Sequence, residues 1–251
     1  MLPRWRADGE VSHDAGMVEQ LVRAFPATRH SAVEALRSGT APERARALET
    51  LASVYWRPVY GYLRLRWRKE HEEAADLTQE LFAEVLEKEL IARFDPARAR
   101  LRTYLRVCID GLVANDRKAA MRRGRGGAFD FDFAREQLEQ VPAAETPETL
   151  FEKEWGRAVF ALGLRRLQDE CARNGKSDRY ALLERYDLAP ERPTYAALAA
   201  ELGIAVTDVT NRLFRTRREL RRIVLEVLEE LTGSDEELRE EAHALLGEGA
   251  A

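Results

Sequence analysis

In HEEAADLTQELFAEVLEKE, residues 71–89, Leu77, Leu81 and Val85 form one apolar stripe with Ala74, Phe82 and Leu86 beside them. Spacings of three and four bring side chains to one face of an α-helix, so the stretch must bury that face against other elements. The same signature recurs along the chain, while strand-like alternation is nearly absent. TAPERARALETLASVYW offers Thr40 as a cap and Pro42 in the first turn, with Leu48, Leu51 and Val54 at helical spacing. A second helix, RPVYGYLRLRWRK, is expected after Pro58, and a long one from about Leu101 to Arg123, ending at GRGG. Ala, Leu, Arg and Glu dominate the composition and are good helix formers. An all-α fold follows.

The 251 residues suffice for two domains. GRGGAFDFDFAREQLEQVPAAETPET has glycines, acids and prolines without a sustained period, and reads as a flexible acidic linker. The expected order is an extension at 1–27, a helical bundle at 28–123, the linker at 124–147, a second helical domain at 148–231 and an acidic tail at 232–251. In the tail, Ser234 and Glu237 form a capping box for a short helix ending at Gly247. Leu238, Ala242 and Leu245 give that helix a packing side, and its acids could lie over a basic face.

Several function classes find no support. No apolar run reaches the ~20 residues of a membrane span, and the N-terminus lacks the apolar core of a signal peptide, so a cytoplasmic location is expected. Cys108 and Cys171 stand at neither metal nor redox spacing. His13, His30, His71 and His243 are scattered, and no nucleophile–base pair or glycine-rich phosphate loop is present. Neither an enzyme nor a cofactor or metal is expected.

Charge points elsewhere. Residues 93–125 hold ten basic side chains against Asp95, Asp110 and Asp116, a net of +7 in a chain whose formal charge is −4. Residues 203–222, GIAVTDVTNRLFRTRRELRR, put six arginines into the last eleven positions. Attraction to phosphate depends on the local face, so an acidic total does not forbid a nucleic-acid partner. TYAALAAELGIAVTDVTNRLFRTRREL has the make-up of a helix-turn-helix, with Gly203 at the turn and Ile204 filling the angle. Val206, Val209, Leu213, Leu220 and Val224 share one side of its second helix, which leaves Asn211, Phe214, Arg215, Arg218 and Arg222 opposite. Arginine can hold phosphate or guanine, asparagine can pair with adenine, and an exposed ring can touch a thymine methyl. DNA is the expected partner.

The helix-turn-helix resembles the promoter-reading C-terminal domain of bacterial RNA polymerase sigma factors. YWRPVYGYLRLR, ADLTQELFAEVLE and LRTYLRVCIDGLVANDRKAAMRR resemble, in the same order, segments of that family's N-terminal domain. Two such domains with a short linker and no middle domain match the extracytoplasmic-function class, over roughly residues 45–125 and 148–228. The resemblance implies a protein that binds core RNA polymerase, at its clamp and flap, and directs promoter recognition and melting. It implies that Asp76, Gln79 and Glu80 dock on the clamp. It implies that Phe94, Arg98, Arg100, Arg102, Tyr104 and Arg106, with Asn115, Lys118 and Arg122, meet minus-ten DNA, Tyr104 having a core role as its alternative. Thr207, Asn211, Phe214, Arg215, Arg218 and Arg222 would then read the minus-thirty-five element. An anti-sigma factor or a kinase is a further partner the family admits.

Some features depart from that pattern. Ala75 stands where a second acid is common before the DL of the clamp helix, and Ala205 replaces the usual serine cap of the reading helix, with Thr207 the nearby substitute. Thr78 could take a phosphate in place of the missing acid, but it falls on the apolar side of its helix. The rival reading is a stand-alone helix-turn-helix regulator, which would gain nothing from a separate DLTQELF bundle with its own basic block.

Overall fold

The computed structural model describes residues 32–87, 89–122 and 146–247, with side chains described over 32–87, 90–116 and 146–247. The expected N-terminal extension, and the expected linker as far as residue 145, lie outside the described residues. Among those described the fold is all-α, with no strands. The chain divides into two compact units, whose described parts are residues 32–87, 89–122, 146–158 and 230–237, and residues 159–229 with 238–247.

The first unit opens with α1 (Ala32–Ser38) and α2 (Ala41–Arg66). Thr40 and Glu43 make the capping box of α2, and the Thr40 N–H donates to Glu43 Oε2 at 2.7 Å. The expected break at Pro58 does not occur, and α2 runs straight through it. Proline removes one helical N–H bond, but Val54, Tyr55, Pro58, Val59, Tyr62 and Leu63 all lie on the buried side of α2. Packing of that whole face outweighs one missing bond.

Next come α3 (His71–Leu86), the short α4 (Glu89–Arg93), which the sequence pattern does not announce, and α5 (Leu101–Arg122). Ala74, Leu77, Leu81 and Val85 of α3 are buried together with Leu105, Ile109 and Val113 of α5. Phe82 is only half buried and Leu86 is 46% exposed, so the apolar stripe is narrower than its sequence suggests. Arg37 of α1 holds the end of α4: its Nε and Nη2 donate to the Ile91 carbonyl, both at 3.2 Å, and Nη2 also donates to that of Phe94. The Ile91 carbonyl also accepts from the Phe94 N–H at 3.2 Å, so the guanidinium reinforces the turn that closes α4.

The helix α6 (Pro147–Arg173) is expected to belong wholly to the second domain. Its residues 147–158 instead belong to the first unit. The reason is apolar burial: Phe151 is fully buried, 6.5 Å from the Tyr55 ring and 6.0 Å from that of Tyr62. Burying one such ring is worth roughly 1.5–3 kcal/mol. Residues 230–237 join the same unit, where Thr50 Oγ1 donates to Glu230 Oε2 at 3.1 Å.

In the second unit, α7 (Ser177–Leu183) continues into a π turn, Glu184–Leu188. Then follow α8 (Tyr195–Leu202) and α9 (Val206–Leu231). Thr194 caps α8 by accepting from the Ala197 N–H at 3.1 Å, and Gly203 ends it with φ 65° and ψ 31°. That left-handed conformation is the one glycine adopts without a Cβ penalty. The last helix, α10 (Asp235–Leu246), has the expected cap, with Ser234 Oγ accepting from the Glu237 N–H at 3.1 Å. Leu238 and Ala242 are buried on it, Leu245 is half buried, and Gly247 closes it with φ 80°.

Gly163 of α6 sits where α9 packs closely, since a Cβ there would lie 2.8 Å from Val224 Cγ2. The expected effect of Gly163→Val is a loss of about 1–3 kcal/mol from overpacking. In a chain of this size that lowers the thermal midpoint by roughly 2–12 °C, read by the helical circular dichroism signal.

Candidate functional site

Because α3 buries the side carrying Ala74, Leu77, Thr78, Leu81 and Val85, its outer side presents Asp76, Gln79 and Glu80, all three exposed. An amide and two carboxylates in a row suit a partner rich in arginine. Ala75, the position of the missing acid, is half exposed. Beside this row lies a feature absent from the sequence reading: Trp56 of α2 stacks on Phe82, ring centroids 5.7 Å apart and planes inclined by 19°, and Trp56 is 37% exposed. The available signal was Trp56 at the outward end of an otherwise buried run. Thr78 is fully buried, and its hydroxyl donates to the Ala74 carbonyl at 2.6 Å. A kinase could not reach it without unfolding the helix.

The minus-ten candidates divide sharply. Phe94 is a core residue, 5% exposed, with its ring 5.2 Å from that of Tyr104. It supports the loop and is not on the surface. Tyr104 is half buried, and its hydroxyl donates to the Leu90 carbonyl at 2.8 Å. Burial pushes its phenol up to about 12, with the neighbouring Cys108 thiol adding to the shift. Its core role therefore has a clear basis. Arg98 is well exposed at 87%, with its Nε 3.8 Å from Asp95 Oδ2, and Arg100 is half exposed. Arg102 and Arg106 are largely covered, with side chains 12% and 19% exposed and both facing Glu152. Asn115 is exposed, whereas the side chains of Lys118 and Arg122 lie outside the described residues.

Acids within the basic block have structural partners that the sequence could not name. Trp67 Nε1 donates to Asp110 Oδ1 at 2.8 Å, and Lys69 Nζ lies 2.9 Å from Asp116 Oδ2. Both tie α5 to the segment before α3.

On α9, Val209, Leu213, Leu220 and Val224 are buried as expected, but Val206 is 45% exposed at the first turn, before the helix reaches the core. Thr216 fills the gap in the buried row and turns its hydroxyl to the Arg212 carbonyl at 2.8 Å. Thr207, Asn211, Phe214, Arg215 and Arg218 are all exposed, Phe214 at 59%. Other arginines of the basic run are engaged: Arg212 with Asp178 at 2.7 Å, and Arg217 with both oxygens of Asp187 at 2.9 Å.

Arg222 was expected to face DNA and does not. It is gripped by Glu170 at 2.8 Å, Glu219 at 2.5 Å and Glu226. Three carboxylates around one guanidinium leave no surplus positive charge for a phosphate. Arg215 does border a small cavity of about 170 Å³, with Cys171, Lys176, Arg179 and Glu219.

Residues 51–123 match sigma-70 region 2. The matched segment takes in most of α2, all of α3, α4 and the α4–α5 loop, and α5, which carry the exposed row of α3 and the basic block. The match supports a sigma-70 family factor that binds RNA polymerase and takes part in promoter melting. No curated protein and no solved structure gives a significant match. The region-2 match covers under a third of the chain. Among the described residues, no helix is long and apolar enough to cross a membrane, and no group of three or more His, Cys, Asp or Glu could hold a metal.

The Arg222 cage carries a pH signature. Its guanidinium holds the Glu219 carboxyl below the ordinary carboxylate range, chiefly through their hydrogen bond. A depressed folded value means that this stability is present above the ordinary range and is lost as pH falls through the folded value. Arg222→Ala is expected to cost about 1–2 kcal/mol near neutrality. It should also shrink the fall in thermal midpoint between about pH 7 and about pH 3, because Glu219 then titrates nearer its ordinary value.

Proposed function

We propose that the chain is a sigma factor of the extracytoplasmic-function class, acting in the cytoplasm. In this reading, residues 28–123 bind core polymerase and opened minus-ten DNA, residues 124–147 link the domains, and residues 148–231 supply the minus-thirty-five reader. The observation that carries the reading is a coincidence of two features. A region-2 match with an exposed polar row on α3 occurs in a chain that also has two successive helices joined at a left-handed glycine, α8–Gly203–α9, which we read as a helix-turn-helix. The second helix of that motif presents Asn211, Phe214, Arg215 and Arg218 outward.

The roles follow from chemistry. Asp76, Gln79 and Glu80 offer acceptors to a basic partner surface, the clamp. Arg98 and Arg100 at the α4–α5 loop, with Arg102 and Arg106 on α5, offer guanidinium groups to the phosphates and unstacked bases of an opened strand. Asn211, Arg215 and Arg218 are the side-chain types that read base edges in a major groove, and Phe214 can meet a thymine methyl. With Arg222 caged, the reader is the earlier part of α9.

Co-purification with core polymerase, followed by promoter-dependent transcription, tests the reading. Asp76→Ala with Gln79→Ala is expected to weaken binding to core polymerase by about 1–3 kcal/mol while the helical spectrum stays native. Unchanged co-purification would remove the clamp assignment. Alanine at Asn211, Arg215 and Arg218 should relax sequence preference at the upstream promoter element, each base-reading contact being worth about 1–3 kcal/mol. Unaltered promoter choice in the triple variant would take the reading role away from α9.

A further inference from the structure

Within the first unit, the start of α6 lies on the side of α5 that carries Arg102 and Arg106. Arg102 Nε is 2.8 Å from Glu152 Oε2, and Arg106 Nη1 is 3.7 Å from Glu152 Oε1. Each guanidinium also lies over a ring: Arg102 is 4.7 Å from the centroid of Trp155, and Arg106 is 5.6 Å from that of Phe151. A carboxylate spanning two guanidinium groups, with aromatic planes against them, is what a single nucleic-acid strand would itself offer there: an anion between the cations and a flat base on each. In the loop before α5 the contact is confined to Pro96, where a Cβ on Gly233 would lie 2.6 Å from Pro96 Cβ, and Arg98 stays exposed.

We propose that residues 147–158 are an internal competitor for the nucleic-acid face of α5. Glu152 stands where a backbone phosphate would stand, and it must leave before a strand of opened promoter DNA can pair with Arg102 and Arg106. The inference rests on the reading of α5 as a binder of opened DNA. Arg102 at 12% exposure cannot reach a ligand while α6 is in place.

Two features make the contact firm but reversible. Phe151, fully buried between Tyr55 and Tyr62, anchors the docked helix. Trp155 works the other way: it is 3% exposed, and its indole N–H is buried with no hydrogen-bond acceptor among the described residues. An orphaned donor is a standing cost of the docked state, and release of α6 into water removes it.

The test uses the full chain and a fluorescein-labelled single-stranded DNA of mixed sequence, with anisotropy measured at low salt. Glu152→Gln keeps the shape and removes the charge that competes with phosphate. It is expected to tighten DNA binding about threefold to tenfold. Glu148→Gln, an exposed position on the same helix, makes the same change in net charge and is expected to leave affinity within about twofold. In the native chain, saturating DNA should raise amide hydrogen exchange across residues 147–158.

Equal affinities for the two glutamine variants, or unchanged exchange across 147–158 at saturating DNA, would overturn the competition. Arg102→Gln with Arg106→Gln separates the two ideas. If this pair weakens binding while Glu152→Gln does nothing, α5 binds DNA and the competitor role fails. If neither change matters, the reading of α5 fails with it.

Discussion

Burial of one narrow stripe of α3 decides most of what the first unit can do. Ala74, Leu77, Thr78, Leu81 and Val85 turn inward, and a helix that buries one side must expose the other. Asp76, Gln79 and Glu80 are thereby held on a rigid surface and not on a loop. The same packing sets the rotation of α5, whose Leu105, Ile109 and Val113 enter that core. Arg102 and Arg106, three residues before Leu105 and Ile109 respectively, then flank the buried row and project to one side of it.

How much of this was legible depends on the kind of interaction. Periodic burial was readable: the α3 stripe, the Gly203 turn and the row Val209, Leu213, Leu220 and Val224 all follow from spacing. Pairing was not. The sequence shows that Arg222 is a cation opposite the buried row, but not that Glu170, fifty-two positions earlier, is brought to 2.8 Å. Composition likewise marked residues 93–125 as a basic block, while Asp110 and Asp116 had partners only the fold could choose. Phe94 illustrates a third case. An aromatic beside arginines fits both a base-stacking site and a core, and burial alone decides between them.

Local rules also failed where tertiary burial was strong. Pro58 should break a helix, yet both flanks of it are buried and α2 continues. The domain boundary moved for a similar reason. A linker with no period ends near residue 147, so the helix after it was assigned forward. Phe151 instead draws residues 147–158 back toward Tyr55 and Tyr62. A single apolar side chain outranks the compositional break beside it, because composition says where a periodic pattern stops and not where the next helix packs.

The two basic stretches illustrate opposite uses of arginine. On α9, Arg212, Arg217 and Arg222 are tied to carboxylates of their own unit, while Arg215 and Arg218 stay at the surface. The tied ones fix the helix, and the exposed ones are left to meet a ligand without first breaking a bond. On α5 the arrangement is reversed, because Arg102 and Arg106, the pair expected to hold a strand, are the ones already paired. In the proposed reading, a strand at α9 would gain the full attraction of its phosphates. A strand at α5 would gain only the difference between a phosphate and the Glu152 carboxylate, less whatever Phe151 loses on release. Net charge is therefore a poor guide to where a nucleic-acid strand could be held on such a chain, and the availability of each guanidinium is the better one.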